Sequence, residues 1–260
     1  KAFILFIFEQ SKFTEMKALF FSIHQTDNKN YRNLLAIVGV CVPIVLYIIT
    51  ILYGKKLIVE NFNLESLMAK FIISKILIWC IFFLTILYSL AIEKRKFTEW
   101  TDVAYRWPFY VKTIIFTFLA FAVIGIGTSN LLHYLGFSSK TTEDLSGFVK
   151  QYPIFIYVAS ITAGIVEEYI FRGYMMTRIY SVSRSKFWAI LISSLIFSAA
   201  HFSYGTAFML LQPFLFGLVF AVLYFKYRNL KVLIVFHILW DIIIHYLFLI
   251  IFKFYCLLCS

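Results

Sequence analysis

The sequence predicts an all-α protein, a polytopic transmembrane helical bundle of about seven spans that follow an N-terminal segment. Of the 260 residues, 62% are hydrophobic and only 14% are charged, whereas soluble domains are about half apolar and about a quarter charged. Apolar runs of about 20 residues recur along the chain, and this length crosses a bilayer core of about 30 Å. The runs do not alternate apolar and polar residues, which argues against a transmembrane β-barrel.

The apolar runs divide the chain into seven candidate spans and three regions. The predicted spans are residues 34–53, 71–92, 113–135, 154–177, 187–202, 207–225 and 232–252. The fifth span is the shortest, so we expect a helix there that is tilted or that enters the bilayer only part of the way. Residues 1–33 form a cytoplasmic or interfacial segment, residues 34–150 hold the N-terminal transmembrane helices, and residues 151–260 form the region in which we expect the function to reside.

Basic residues predict the orientation of the bundle. The net charge is +11, but Lys and Arg gather at the ends of the apolar runs, which indicates membrane topology rather than nucleic-acid binding. One side of the predicted bundle carries 16 of them and the other side six, while Lys75 and Arg172 lie within spans. We therefore expect an integral membrane protein with a cytoplasmic N-terminus. The bias towards Lys, Ile, Phe, Asn and Tyr points to the cytoplasmic membrane of a bacterium, where lipids are the immediate partners.

Three acidic residues stand out because they lie inside predicted spans. The other ten of the 13 acidic residues lie in the N-terminal segment or in loops, whereas Glu167, Glu168 and Asp241 do not. A charge at bilayer depth costs about 2.5 to 3.5 kcal/mol, and such charges usually face an interior cavity and serve a function. A purely structural role, in which these acids bond to neighbouring helices, is the alternative.

Helical spacing groups further polar residues with these acids. Glu168 and Arg172 are four residues apart, so they share a helix face and can pair. Glu167 is turned about 100° away and has no partner within its helix. His201 follows Phe197 by four residues in the fifth span, and His237 precedes Asp241 by four residues in the seventh. Together such groups can bind a metal, activate water or relay protons.

The two remaining histidines outside the N-terminal segment are interpreted as ordinary core residues. His133 and His245 receive this interpretation because neither has an acidic neighbour at helical spacing.

Three short patterns in the last four spans carry a resemblance to a known family. "EEYIFR" fits EExxxR, "FSAAH" fits FxxxH and "HILWD" fits HxxxN/D, in that order on successive membrane segments. The set resembles the CPBP family of intramembrane proteases, also called the Abi family, which includes CAAX proteases and proteins of bacteriocin processing and self-immunity. The resemblance covers roughly residues 154–252, and residues 1–150 match only in being hydrophobic.

The resemblance implies an intramembrane endopeptidase that hydrolyses a peptide bond in a membrane-associated peptide or protein. Glu167 would be the general base and would polarise a water together with His201. His237 and Asp241 would stabilise the oxyanion of the tetrahedral intermediate. Glu168 and Arg172 would support the site as an ion pair.

The resemblance leaves the metal and the biological role open. A mechanism that requires no cofactor is favoured, yet Glu167, His201 and His237 are residue types that zinc accepts. A non-catalytic membrane regulator or a bacteriocin self-immunity protein on the same fold is the alternative function. A proton-coupled transporter is disfavoured because the chain lacks paired repeats with broken helices.

Overall fold

Seven helices make up the part of the chain that the computed structural model describes, which is residues 28–54, 67–137, 152–202 and 206–259. The helices are α1 (Asn28–Tyr53), α2 (Leu67–Ala91), α3 (Trp107–Tyr134), α4 (Ile154–Ser183), α5 (Lys186–Ala199), α6 (Phe208–Tyr227) and α7 (Leu230–Cys259). No strand occurs in these residues. The predicted all-helical membrane bundle is confirmed, while the segment before residue 28 lies outside the described residues.

Six of the seven helices are long and apolar enough to cross a membrane. The exception is α5, whose 14 residues span about 21 Å at 1.5 Å per residue. Ser185 caps its N-terminus, because the Ser185 side chain accepts a hydrogen bond from the backbone N–H of Trp188. The sequence places the fifth span at residues 187–202, and the helix ends three residues earlier, before His201.

Helix α4 changes its geometry in the middle. Its first stretch, Ile154–Glu167, is α-helical, the stretch Glu168–Met176 is π-helical, and Thr177–Ser183 is α-helical again. Eight of the nine residues in the π-helical stretch are buried. A π-helical turn inside an α-helix is rare and is frequent at functional sites. Here it begins at the second acid of the EExxxR pattern.

Two buried clusters of side chains flank the π-helical stretch. One joins α3, α6 and α7 through aromatic residues, with the rings of Phe121 and Phe216 stacked 3.8 Å apart. The other joins α2, α4 and α5, with Phe171 packed edge-on against Phe197. Met176 belongs to the first cluster and Phe171 to the second. Burial on both sides therefore fixes α4 in position between the other helices.

The segment between α2 and α3 holds the start of α7. Asn229 caps α7 by accepting a hydrogen bond from the Val232 backbone N–H at 3.0 Å, and its amide donates to the Val103 carbonyl at 2.8 Å. The Asp102 carboxylate accepts from the Leu230 backbone N–H at 2.8 Å. An N-cap contributes about 1 kcal/mol to helix stability. These bonds set the depth at which α7 begins, and with it the position of His237.

A buried ion pair ties the end of α4 to the end of α2. The Arg178 guanidinium donates to Glu93 from Nε at 3.1 Å and from Nη2 at 2.7 Å, and both side chains are fully buried. Its remaining N–H groups reach Ser89 and the carbonyls of Lys96 and Phe97. The sequence argument places both charges in loops. Glu93 does follow the end of α2, whereas Arg178 lies within α4, and the two buried charges compensate each other inside the protein.

Gly164 permits the close approach of α4 and α7. A Cβ atom at this position would lie 2.5 Å from Cγ1 of Ile238 and 3.1 Å from the backbone oxygen of Ile234. The second neighbour is backbone and cannot turn away, so the two helices can touch here only if residue 164 has no side chain. This contact brings the helix that carries Glu168 against the helix that carries His237.

We expect the Gly164→Ala variant to be less stable by about 1 to 3 kcal/mol, because the added methyl group overpacks the contact between α4 and α7. Thermal unfolding of the purified protein in detergent measures this. The control is Gly127→Ala, since a Cβ at Gly127 would meet nothing within 4 Å. Equal unfolding temperatures for the two variants would contradict the role given to Gly164.

Candidate active site

The seven residues of the three sequence patterns lie on α4, in or just after the last turn of α5, and on α7. The structure brings Glu168, Arg172 and His237 into direct contact. Asp241 follows His237 by one turn of α7. His201 lies just after the last residue of α5.

The Glu168 carboxylate is the centre of this contact. Its Oε1 accepts a hydrogen bond from Nη1 of Arg172 at 3.0 Å and another from Nδ1 of His237 at 2.8 Å, and the side chain is fully buried. Arginine is always protonated, so the carboxylate beside it is an acceptor only. Nδ1 of His237 must therefore carry a proton. The sequence predicts the pairing with Arg172 but not the bond to His237.

Nε2 of His237 faces Asp241 because Nδ1 is engaged by Glu168. The distance from Nε2 to Oδ2 of Asp241 is 3.8 Å, which is too long for a direct hydrogen bond. His237 is itself buried, whereas Asp241 is about a quarter exposed at its side chain. Glu168 thus orients the ring, and Nε2 is the atom that His237 presents to Asp241.

Aromatic rings surround the guanidinium group of Arg172. Its Cζ lies 4.3 Å from the centre of the Phe197 ring and 5.2 Å from that of Phe220. A desolvated cation over an aromatic face gains about 2 kcal/mol. Phe197 is the first residue of the FxxxH pattern, so that phenylalanine has a physical role in stabilising the Glu168–Arg172 pair. Phe220 has the same role, and no sequence pattern points to it.

Glu167 lies beside this cluster without a close partner. Its Oε2 is buried and has no hydrogen-bond partner among the described residues. The Glu167 carboxylate nevertheless interacts electrostatically with Arg172, His237 and Asp241. A carboxylate oxygen that is not engaged by protein groups is available to a water molecule or a substrate.

His201 is held at the end of α5 by a backbone oxygen. Its Nδ1 lies 2.8 Å from the carbonyl oxygen of Phe197, which can only accept, so Nδ1 carries the proton. Nε2 is then the basic nitrogen of the ring. His201 also interacts electrostatically with Asp241 on α7.

The sequence interpretation of His133 is wrong, and so is the reason given for that of His245. His245 does have an acidic neighbour at helical spacing, since Asp241 precedes it by four residues. Its Nδ1 lies 2.6 Å from the Asp241 carbonyl oxygen, and its charge acts on Asp241. His133 is exposed in the last turn of α3 rather than buried in a core.

The described residues do not form a zinc site. No group of three His, Cys, Asp or Glu side chains among them is placed to hold a metal ion. Of the three residues that the sequence offers as ligands, Glu167, His201 and His237, the last donates Nδ1–H to Glu168. Its Nε2 is not used by that bond.

Comparison with known families identifies the region that holds this site. Residues 149–243 match the family model described as Type II CAAX prenyl endopeptidase Rce1-like. This part of the chain is similar to the CAAX protease family. The match contains every residue of the three patterns and covers a little more than a third of the chain. No curated protein and no solved structure matches the chain.

Lys75 of α2 lies outside the matched region, yet it interacts electrostatically with acids of the candidate site. The carboxylates of Glu167 and Asp241 both attract its ammonium group electrostatically. The sequence signal was present, because Lys75 is a charge within a predicted span. Helical spacing could not connect it to residues on α4 and α7.

Glu168 and Arg172 should be strongly coupled in stability. We expect Glu168→Gln alone to cost about 3 to 5 kcal/mol, because it leaves the buried Arg172 charge without its partner. The double variant with Arg172→Met should cost less than the two single costs combined. Unfolding of the detergent-solubilised protein measures both.

The control for this coupling is the partly exposed pair of Arg95 and Glu99, which has the same spacing and a distance of 3.1 Å. Glu99→Gln should cost at most about 1 kcal/mol, as is usual for exposed pairs. Additive costs for Glu168 and Arg172 would show that the two side chains do not stabilise each other.

Proposed function

We propose that the protein is an intramembrane endopeptidase that hydrolyses a peptide bond in a membrane-associated peptide or protein. The main support is the Glu168–His237 contact, which joins two of the three sequence patterns within a region similar to the CAAX protease family. In this proposal the protein resides in a bacterial membrane, and its N-terminus faces the cytoplasm. The similarity to a CAAX prenyl endopeptidase family suggests substrates of the CAAX type, with a lipid-modified C-terminal segment.

Glu167 is the general base in the proposed reaction. Its Oε2 has no protein partner among the described residues, so it can accept a proton from a water molecule. Nε2 of His201, which is the unprotonated nitrogen of that ring, accepts the second hydrogen of the same water and orients it. As the proton moves to Glu167, the water oxygen attacks the carbonyl carbon of the scissile bond. General-base catalysis of this kind typically contributes about 10²- to 10⁴-fold.

His237 stabilises the negative charge that develops on the carbonyl oxygen. In its imidazolium form the ring donates from Nδ1 to Glu168 and from Nε2 to the oxyanion. The carboxylates of Glu168 and Asp241 offset the positive charge of the ring, and burial strengthens each of these interactions. A donor that is already oriented before the reaction is worth about 10²- to 10³-fold in rate.

Glu167 then returns its proton to complete the reaction. The proton taken from water passes to the nitrogen of the leaving group while the carbon–nitrogen bond breaks. The products are a new carboxyl group on one fragment and a free amine on the other. No cofactor takes part in the proposed steps, because side chains supply the base, the acid and the oxyanion donor.

The Glu167→Gln variant should lose at least about 10³-fold in peptide hydrolysis, because an amide cannot take the proton from water. Its unfolding temperature should stay close to that of the wild type. The measurement is cleavage of a farnesylated, internally quenched peptide with a C-terminal CAAX sequence by protein reconstituted in liposomes. Glu99→Gln is the matched control and should retain full activity. A fully active Glu167→Gln variant would contradict the general-base role of Glu167, whereas no cleavage by the wild type would favour a binding role as a regulator or immunity protein.

Metal chelators should leave the hydrolysis rate unchanged within about twofold, because the proposed groups are all side chains. Preincubation of the reconstituted protein with 1,10-phenanthroline or EDTA, followed by the same cleavage assay, checks this expectation. A loss of activity that added zinc restores would contradict the metal-independent mechanism. It would leave the peptidase function itself intact.

A further inference from the structure

Helix α5 ends before the histidine that the proposed reaction uses. Its last residue is Ala199, and His201 lies two positions further, in a turn. The last four carbonyl groups of an α-helix have no partner within the helix. A side chain that follows such an end keeps a fixed position only if other groups bind these carbonyls and the turn itself.

Nitrogen atoms of the turn bind three of these carbonyl groups. The Ala200 N–H donates to the Ile196 carbonyl at 3.0 Å, and the His201 N–H donates to that of Ser198 at 2.9 Å. Nδ1 of His201 donates to the Phe197 carbonyl at 2.8 Å. All three bonds are local, so they tie His201 to α5 but not to the rest of the bundle.

Tyr47 of α1 supplies a bond from outside α5. Its hydroxyl donates to the Ala200 carbonyl at 2.5 Å, across 153 positions of the chain. Both residues also pack against the buried cluster that contains Phe171 and Phe197. The carbonyl that Tyr47 binds belongs to the residue directly before His201.

The peptide unit between Ala200 and His201 is thereby bound at both of its polar groups. Tyr47 donates to its carbonyl oxygen, and its N–H donates to Ser198. Because a peptide unit is planar, bonds at its two ends fix the orientation of the plane and so the position of the His201 Cα. The bond from Nδ1 to the Phe197 carbonyl then fixes the ring.

Helix α1 is itself anchored to α2 and α4. The Tyr88 hydroxyl of α2 donates to the Leu35 carbonyl of α1 at 2.9 Å. Gly39 of α1 lies so close to the Tyr174 hydroxyl and to Glu93 that a Cβ atom would collide with both. These two side chains are hydrogen-bonded to each other between α4 and the end of α2. Helix α1 is therefore a fixed support for the turn after α5.

We propose that Tyr47 is a positioning residue for His201. Its bond to the Ala200 carbonyl holds Nε2 in the orientation in which the ring binds the water that Glu167 deprotonates. The catalytic consequence rests on the proposed peptidase function, whereas the position of the ring does not. Helix α1 lies wholly outside residues 149–243, so the reaction depends on a helix that the family similarity does not cover.

The Tyr47→Phe variant removes only the hydroxyl group and tests the assignment. In cleavage of the farnesylated, internally quenched CAAX peptide we expect kcat to fall about tenfold and KM to stay within about twofold, because a small misplacement of a reacting group slows the chemical step more than it weakens binding. The measurement uses the full chain reconstituted in liposomes.

The matched control is Tyr88→Phe, which removes another bond from a tyrosine hydroxyl to a carbonyl of a neighbouring helix. This variant should leave kcat unchanged. Both variants should lower the unfolding temperature by a similar amount, about 2 to 4 °C, as is usual for the loss of one hydrogen bond. Equal losses of kcat in the two variants would assign the effect to stability alone and overturn the assignment.

A double variant tests whether Tyr47 acts through His201. When Tyr47→Phe is added to His201→Gln, kcat should change by less than about twofold, because two side chains that act as one unit are not additive. A further fall of about tenfold would show that Tyr47 acts by another route, which overturns the assignment.

NMR of protein that carries ¹⁵N-labelled histidine decides the position of the His201 ring without any substrate. The spectrum of His201→Gln identifies the ring signals. Tyr47→Phe should shift or broaden them, whereas Tyr88→Phe should leave them in place. Unchanged signals in Tyr47→Phe overturn the assignment. If the wild type cleaves no peptide, the peptidase function fails, and the ring signals still show whether Tyr47 holds His201.

Discussion

One buried carboxylate organises the site. Glu168 compensates the guanidinium of Arg172 and at the same time orients the ring of His237, although it belongs to a different helix from the histidine. A buried ion alone would cost several kcal/mol, so the three groups are stable only together. The aromatic rings of Phe197 and Phe220 close the cluster from α5 and α6. Four helices therefore meet at a single charged group.

The two adjacent acids of α4 have different environments because their side chains point in different directions from the helix. Glu168 is fully buried and its Oε1 is hydrogen-bonded to Arg172 and His237, whereas Glu167 is partly exposed. One oxygen of each acid lacks a hydrogen-bond partner among the described residues. Glu168 is suited to hold other groups in place, and Glu167 is suited to react. The π-helical stretch begins between them, at the point where the roles diverge.

Much of the fold and part of the site could be predicted from the sequence. Composition and run length predict the helices, because a bilayer sets their length and polarity. The Glu168–Arg172 contact was predictable since both residues lie on one helix. The Glu168–His237 bond and the interaction of Lys75 with the site acids depend on which helices pack together, and one sequence does not contain that information. The π-helical stretch was also missed, because a local shift in backbone hydrogen bonding leaves the apolar pattern unchanged.

The short α5 affects the lipid around the protein. A hydrocarbon layer of about 30 Å is taller than the roughly 21 Å that this helix can cover, and any tilt increases the mismatch. A helix this short is accommodated by local thinning of the bilayer. Thinning shortens the distance between interfacial water and both ends of α5, one of which immediately precedes His201.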